Sequence, residues 1–142
     1  MKKKDSQYCQ CLYYSANALA RIMTRIADEE FASLGITPSY AFLIMSVNNK
    51  PGIQPGEISG EMQLTPSTVT RLIEKMEHKG FLERRSNGKF TEVYPTSAGE
   101  EMIPRIKSCW MNLYLRYSGI LGEESGRRLT SMIYDAVRKL DS

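Results

Sequence analysis

The chain predicts a mainly α fold with one small β-wing. It reads as a winged helix-turn-helix of six helices whose terminal helices form a dimerisation region. Three observations carry this reading. Two short helix patterns, about Gln54 to Gln63 and Thr65 to Lys79, follow one another across a tight turn. Leu82 to Ser86 and Phe90 to Tyr94 flank Asn87-Gly88, the strongest short hairpin signal. Long amphipathic patterns stand near both ends of the chain. Helix, turn, helix, hairpin is an order in which the second helix is dimensioned for the major groove of DNA.

Taken in order, Ser6 to about Leu34 reads as one helix. Tyr8, Leu12, Ala16, Leu19, Met23 and Ile26 recur at spacings of three and four, and Gly35 ends the pattern. Thr37-Pro38, a cap followed by proline, starts a second helix that runs to about Val47. Asn48 to Gly52 is a loop, and Pro55 begins the first helix of the central pair. Thr65-Pro66 opens the second helix of the pair and Gly80 closes it. Beyond the hairpin, Thr96 caps a helix carrying Met102, Ile106, Cys109, Trp110, Leu113 and Tyr117, which Pro104 kinks or restarts. Gly119 to Gly122 makes a break. The last helix, Glu123 to Leu140, presents Leu129, Met132, Ile133, Ala136, Val137 and Leu140 on one face.

This organisation is a single domain over 1–142, with a DNA-binding lobe at about 38–98 and dimerisation helices at about 6–34 and 99–142. The terminal stripes are too wide for the central motif to cover, so a symmetric homodimer is the expected assembly. Of the 142 residues, 42% are hydrophobic and 25% charged, the balance of an ordinary soluble globular protein. The net charge of +3 is mild, but its location is informative. Thr65 to Phe90 holds six basic and three acidic residues, so the whole excess falls on this one motif. A merely solvated helix face would not require that.

Met-Lys-Lys-Lys opens like a signal peptide, but Asp5-Ser6-Gln7 follows and no apolar region does. No apolar run reaches a membrane span. Three cysteines, an odd number, suit a reduced cytoplasm better than a disulfide framework. The expectation is a cytoplasmic protein with no membrane partner.

At 3.6 residues per turn, Val69, Leu72, Ile73 and Met76 share the inward face of the second central helix. Ser67, Arg71, Glu74 and His78 centre the outward face, with Thr68, Thr70 and Lys75 on its flanks. A helix N-terminus with free N–H groups and short hydroxyls suits phosphates and base edges. Arg71 is the residue for a bidentate contact to guanine and Lys75 for a phosphate. Glu74 is expected to pair along the helix with Arg71 or His78. Arg84, Arg85 and Lys89 sit at or near the wing tip, within reach of the backbone or a minor groove. The expected DNA-binding set is therefore Thr65, Ser67, Thr68, Thr70, Arg71, Lys75, Arg84, Arg85 and Lys89, and double-stranded DNA is the expected partner.

These residues carry a resemblance. Leu64 to Arg84, read as LTPSTVTRLIEKMEHKGFLER, is similar almost throughout to the recognition segment of the multiple-antibiotic-resistance regulator (MarR) family, dimeric winged-helix repressors. Thr96-Ser97-Ala98-Gly99 resembles that family's Thr-x-x-Gly opening of the next helix, and Leu34-Gly35-Ile36-Thr37 its entry to helix two. The likeness implies a homodimeric repressor on a palindromic operator. One departure stands out: the family's Asp-x-Arg wing segment is replaced here by Ser86-Asn87-Gly88-Lys89.

The resemblance also implies control by small aromatic acids or by oxidants, in a cavity between the dimer helices and the DNA-binding lobe. Tyr13, Tyr14 and Tyr40 are expected to line that seam and receive a small aromatic effector. Cys9 followed by Tyr13 resembles the start of the organic-peroxide-sensing branch, which makes Cys9 a redox sensor in an alternative reading. Met23 and Pro38 occupy the places of two further tyrosines of that branch. Two residues apart on the first helix, Cys9 and Cys11 are expected to point about 200° away from one another and to form neither a metal edge nor an easy disulfide. The one histidine, His78, ends the recognition helix, and no Gly-rich phosphate loop is present. No catalytic, metal or cofactor site is expected, so the chain does not read as an enzyme. A rival of another class is a winged-helix protein-interaction module, which calls for an acidic or apolar outward face.

Overall fold

A computed structural model of the chain describes residues 4–141. The first three residues of the opening basic cluster lie outside them. The elements are α1 (Leu12–Phe31), a 3-10 turn (Ala32–Leu34), α2 (Pro38–Asn49), α3 (Pro55–Met62), α4 (Pro66–His78), β1 (Leu82–Asn87), β2 (Phe90–Pro95), α5 (Ser97–Leu121) and α6 (Glu123–Leu140). The six helices and the two-stranded wing fall in the expected order.

Three local expectations are corrected. The first helix starts at Leu12, not Ser6. The Ser6 hydroxyl accepts from the Tyr8 N–H at 3.1 Å, and turn bonds Cys9 N–H to Ser6 O and Cys11 N–H to Tyr8 O follow. That local pairing competes with helix formation. Cys9 therefore precedes the helix, Cys11 is its extended N-cap, and the 200° argument does not apply to them. Second, α5 runs unbroken through Pro104 and Gly119 and stops only at Gly122, where φ is +90°. The bond that Pro104 forfeits is to the carbonyl of Glu100, an exposed residue with water at hand. Third, Asn87 pairs with Phe90, so the turn residues are Gly88-Lys89 rather than Asn87-Gly88. Gly88 has φ +64°, the glycine-first pattern of a type II′ hairpin.

The core lies where α2, α4, β2 and α5 meet, around Leu43, Ile44, Val47, Ile58, Val69, Ile73, Met76, Val93 and Ile106. Ile53 adds a one-residue bridge to Val93, giving the wing a rudimentary third strand where a plain loop was expected. The turn between α3 and α4 places Gln63 in the left-handed region, φ +55°, which keeps the pair close at some backbone cost. Among the described residues of α1 and α6, Ile26, Phe31 and Gly126 are buried. Leu19, Met23, Ala27 and Ala136 are half-buried, and much of the remaining stripe faces outward, with Tyr13 79% and Leu140 77% exposed.

α4 ends in a Schellman motif. Phe81 N–H reaches Met76 O at 2.9 Å, and Gly80, at φ +85°, donates to Glu77 O at 3.0 Å. Thr96 then caps α5, accepting from Gly99 N–H at 3.1 Å and donating its hydroxyl to Gly80 O at 2.6 Å. Gly99 packs so closely on Phe81 that an added Cβ would overlap the Phe81 carbonyl oxygen. Gly99→Ala is therefore expected to destabilise the chain by about 2–3 kcal/mol in urea unfolding. Gly60→Ala, on a helical position with nothing within 4 Å, should instead stabilise by about 0.5–1 kcal/mol.

Candidate nucleic-acid interface

The outward face of α4 begins with a hydroxyl cluster. Thr65 Oγ1 accepts from Thr68 N–H at 3.4 Å, donates to Thr68 Oγ1 at 2.9 Å and lies 3.4 Å from the Ser67 hydroxyl. Thr70 donates back to Pro66 O at 3.0 Å, leaving its oxygen lone pairs outward-facing acceptors. Arg71 is exposed and makes one long contact, 3.4 Å to Thr68 Oγ1. One turn on, the Lys75 ammonium stands 5.5 Å from the Tyr40 ring centroid, a cation–π contact that ties α4 to α2. Val69, Ile73 and Met76 are buried on the opposite face and Leu72 is half-buried, as their spacing requires. The structure thus brings Thr65, Ser67, Thr68, Thr70, Arg71 and Lys75 onto one side of one helix.

The wing residues divide differently from the expectation. Arg84 is not at the tip but opposite Val93 near the base of the hairpin. Its Nη2 donates to Glu77 Oε1 at 2.8 Å and its Nε to the same oxygen at 3.2 Å, while its backbone N–H takes Oε2 at 3.2 Å. Glu74 pairs across to Arg84 at 3.9 Å rather than along the helix to Arg71 or His78. Arg85 pairs with Glu83 and stacks over the Tyr94 ring, 4.0 Å from its centroid. Lys89 alone of the three reaches the tip, beside Phe90, which is 59% exposed.

The carboxyl of Glu77 is held below the usual carboxylate range, chiefly by the side-chain hydrogen bond from Arg84, and Arg84 is raised for the same reason. The two shifts agree. Sequence reasoning missed this tie because it joins two elements seven residues apart around a reversal of the chain. Glu77 and Arg84 are legible as charges but not as neighbours.

The expected effector residues are not brought together in one chain. Tyr40 borders a cavity of about 290 Å³ shared with Asp28, Thr37, Lys75 and Lys79. Tyr13 and Tyr14 lie in the first turn of α1, Tyr14 against Tyr8 at 5.7 Å between ring centroids. Fourteen residues of helix separate Tyr14 from Asp28, roughly 21 Å at 1.5 Å per residue. The reason is that Tyr13 and Tyr14 open α1, whereas the cavity beside Tyr40 lies at its C-terminal end, next to Asp28 and Ala32. Cys9 is exposed in the turn before α1, and among the described residues no group hydrogen-bonds its sulfur. Cys109 is buried, 4.0 Å from the Ser33 hydroxyl. Among the described residues no cluster of three His, Cys, Asp or Glu side chains is placed to hold a metal ion, and no single helix is long and apolar enough to cross a membrane.

Comparison with known proteins agrees with this geometry. The sequence model of the MarR family matches residues 36–88, which span α2 to the wing turn. The HTH-type transcriptional regulator YybA of Bacillus subtilis (strain 168) is 25% identical over 92 residues, 63% of this chain and 61% of YybA. The chain thus spans about three fifths of that relative's length. The HTH-type transcriptional repressor MdtR of the same organism is 26% identical over 127 residues, 87% of this chain and 81% of MdtR. The transcriptional repressor CouR, solved bound to a 23-mer DNA duplex, superposes with a TM-score of 0.86 at 16% identity, covering 96% of this chain and 99% of that one. The family-model match thus covers the winged-helix lobe as far as the wing turn and includes the Leu64 to Arg84 segment that carried the resemblance.

The Glu77–Arg84 tie makes a pH-dependent hinge. A carboxyl depressed in the folded state contributes stability above its ordinary range and loses it as pH falls through the folded value. The wing should therefore stay docked at neutral pH and loosen only as acidification passes below the ordinary carboxylate range and through the folded value. Glu77→Gln should release it at pH 7. The protection factor of the Arg84 amide, taken relative to the intrinsic exchange rate at each pH, is expected to fall in both cases, with a global cost of no more than about 1 kcal/mol for so exposed a pair.

Proposed function

We propose that this chain, with its MarR-family winged-helix lobe, is a sequence-specific DNA-binding transcriptional regulator. It acts as a homodimeric repressor on a palindromic operator and is released by a small ligand. The observation that carries the reading is the outward face of α4. Its hydroxyls are pre-ordered around Thr68, its one arginine, Arg71, is exposed, and its nearest acids, Glu74 and Glu77, turn away to Arg84. The carboxylates that would repel a phosphate backbone are thereby neutralised from inside. A protein-interaction surface would call for an acidic or apolar outward face, and this one is hydroxylic and basic.

In this reading residues 38–98 form the DNA-binding lobe, and the flanking helices, 6–34 and 99–142, form the dimer. The exposed stripes of α1 and α6 support the second assignment, because each is amphipathic with its apolar side uncovered. A two-fold dimer presents two copies of α4, which suits half-sites about one helical turn apart. The repressor MdtR and the DNA-bound repressor CouR support the direction of control. Thr65, Ser67, Thr68, Thr70, Arg71 and Lys75 are the proposed contacts on α4, and Lys89 is the proposed contact at the wing. Arg84 serves instead by holding the wing to α4.

Light scattering should return twice the mass of the 142-residue chain. A monomer at all concentrations would remove the palindromic operator from the reading. In fluorescence-anisotropy titrations, Arg71→Ala should cost about 1–3 kcal/mol of operator affinity and relax the preference at one base pair per half-site. Lys75→Ala should weaken all sequences alike and make the salt dependence shallower by about one unit of slope. An Arg71→Ala protein with unchanged affinity and preference would show that α4 does not read the bases.

A further inference from the structure

We propose that the groove between α2, α3 and α5 binds an organic monocation with an aromatic body, and that this occupancy sets the position of the DNA-binding pair. The second half of the proposal rests on the ligand-released regulator reading; the first does not. The groove has a volume of about 530 Å³, within the range of small-molecule sites. Its walls are Phe42 and Met45 of α2, Met62 of α3, Leu64 of the α3–α4 turn and Trp110 of α5. Phe42 and Trp110 meet edge to face with centroids 5.9 Å apart, yet they remain 36% and 49% exposed. Ring surface on both is therefore left uncovered by the chain.

The charge of the occupant follows from the lining. Glu61 is its one ionisable side chain, and among the described residues no cation pairs with it. Aromatic faces present negative quadrupole density, which adds to the carboxylate and attracts a cation, most strongly at tryptophan. An aromatic acid of the kind the family resemblance implies would meet Glu61 as a like charge and find no positive group there. Met45 and Met62 are unbranched and polarisable, so the walls adapt to a bulky apolar body. On the other flank of Trp110 a second hollow is lined by Lys107, Met111, Tyr114 and Tyr117. Its single charge is positive, so the two hollows select opposite signs.

The groove is also placed to act. Met62 and Leu64 bracket Gln63, the left-handed residue that sets the α3–α4 angle. A molecule seated between Trp110 and that turn moves α3 and α4 together against α5. It releases DNA to the extent that it binds one spacing better than the other.

The test uses the single tryptophan, Trp110, as its own reporter. The probes are tetraphenylphosphonium and tetraphenylborate, nearly identical in shape and opposite in charge. Saturable change of tryptophan emission is expected with tetraphenylphosphonium, at concentrations at least tenfold below those tetraphenylborate requires. Glu61→Gln, a surface change that leaves the core untouched, should weaken the phosphonium about fivefold and narrow the gap between the probes. Equal or tighter borate binding in a Lys107→Gln background, which removes the cation of the second hollow beside Trp110, or a Glu61→Gln protein with an unchanged ratio, overturns the site. In operator titrations the phosphonium should lower affinity about tenfold in the wild type and much less in Glu61→Gln. Charge-selective binding with no effect on operator affinity overturns the control role and leaves the site standing. A wild type that binds no duplex at all overturns the regulator reading, and the emission data still decide the groove.

Discussion

Where α4 ends, three chain segments are locked by a handful of backbone groups. The Thr96 hydroxyl donates to Gly80 O, the Thr96 N–H reaches Phe81 O at 3.2 Å, and Gly99 N–H closes on the Thr96 oxygen. Phe81 N–H meanwhile completes the C-terminus of α4 through Met76 O. One residue pair, Gly80-Phe81, is thus the end of α4, the start of the wing and the seat of α5. Each of these bonds satisfies a terminal backbone group that would otherwise be orphaned. The angle between α4, the hairpin and α5 follows from this knot, and so does the placement of every side chain proposed to meet DNA. Gly99 is the part with no substitute, since any side chain there strikes the Phe81 carbonyl.

Electrostatics is arranged around that frame. The basic excess of the motif is not simply displayed. Arg84 is spent on Glu77 and Glu74, and Arg85 on Glu83 and the Tyr94 ring. These pairs are half-exposed and contribute little to global stability. Their value is positional: two acids on α4 are drawn toward the wing base, and Arg71 remains exposed among hydroxyls. Charge neutralised internally fixes geometry, and exposed charge is available to a polyanion.

The outer helices show the complementary economy. α5 carries core residues on one side, Ile106, Cys109 and Leu113, and exposed Trp110, Met111 and Leu115 on the other. α1 gives the core only Ile26 and Phe31 near its C-terminal end, and Gly126 is the one buried residue among the described residues of α6. Apolar surface left in water on three helices at once is surface reserved for something else. In the proposed homodimer a second copy covers the long stripes of α1 and α6. The groove beside Trp110 has a different character, concave and bordered by a lone carboxylate, and fits a small molecule better than a helix.

Element types and their order were legible in the residues, because local chemistry sets them: Thr-Pro caps start α2 and α4, glycine ends α4, and 3.6-residue periodicity marks the buried side of each helix. The inward face of α4 and its outward hydroxyls and arginine could be assigned from spacing alone. The start of α1 was misread because Ser6 competes for backbone N–H groups, an effect periodicity does not register. The hairpin turn was placed one residue early, since register depends on which cross-strand pairs the core accepts. The Arg84–Glu77 tie, the Ile53–Val93 bridge and the groove beside Glu61 belong to tertiary structure alone. Each joins groups on elements whose relative position no local signal carries. The wide separation of Tyr13 and Tyr14 from Tyr40 has the same origin. Their shared amphipathic chemistry is written in the sequence, but helix length and crossing point decide what meets, and both follow from packing summed over the whole core.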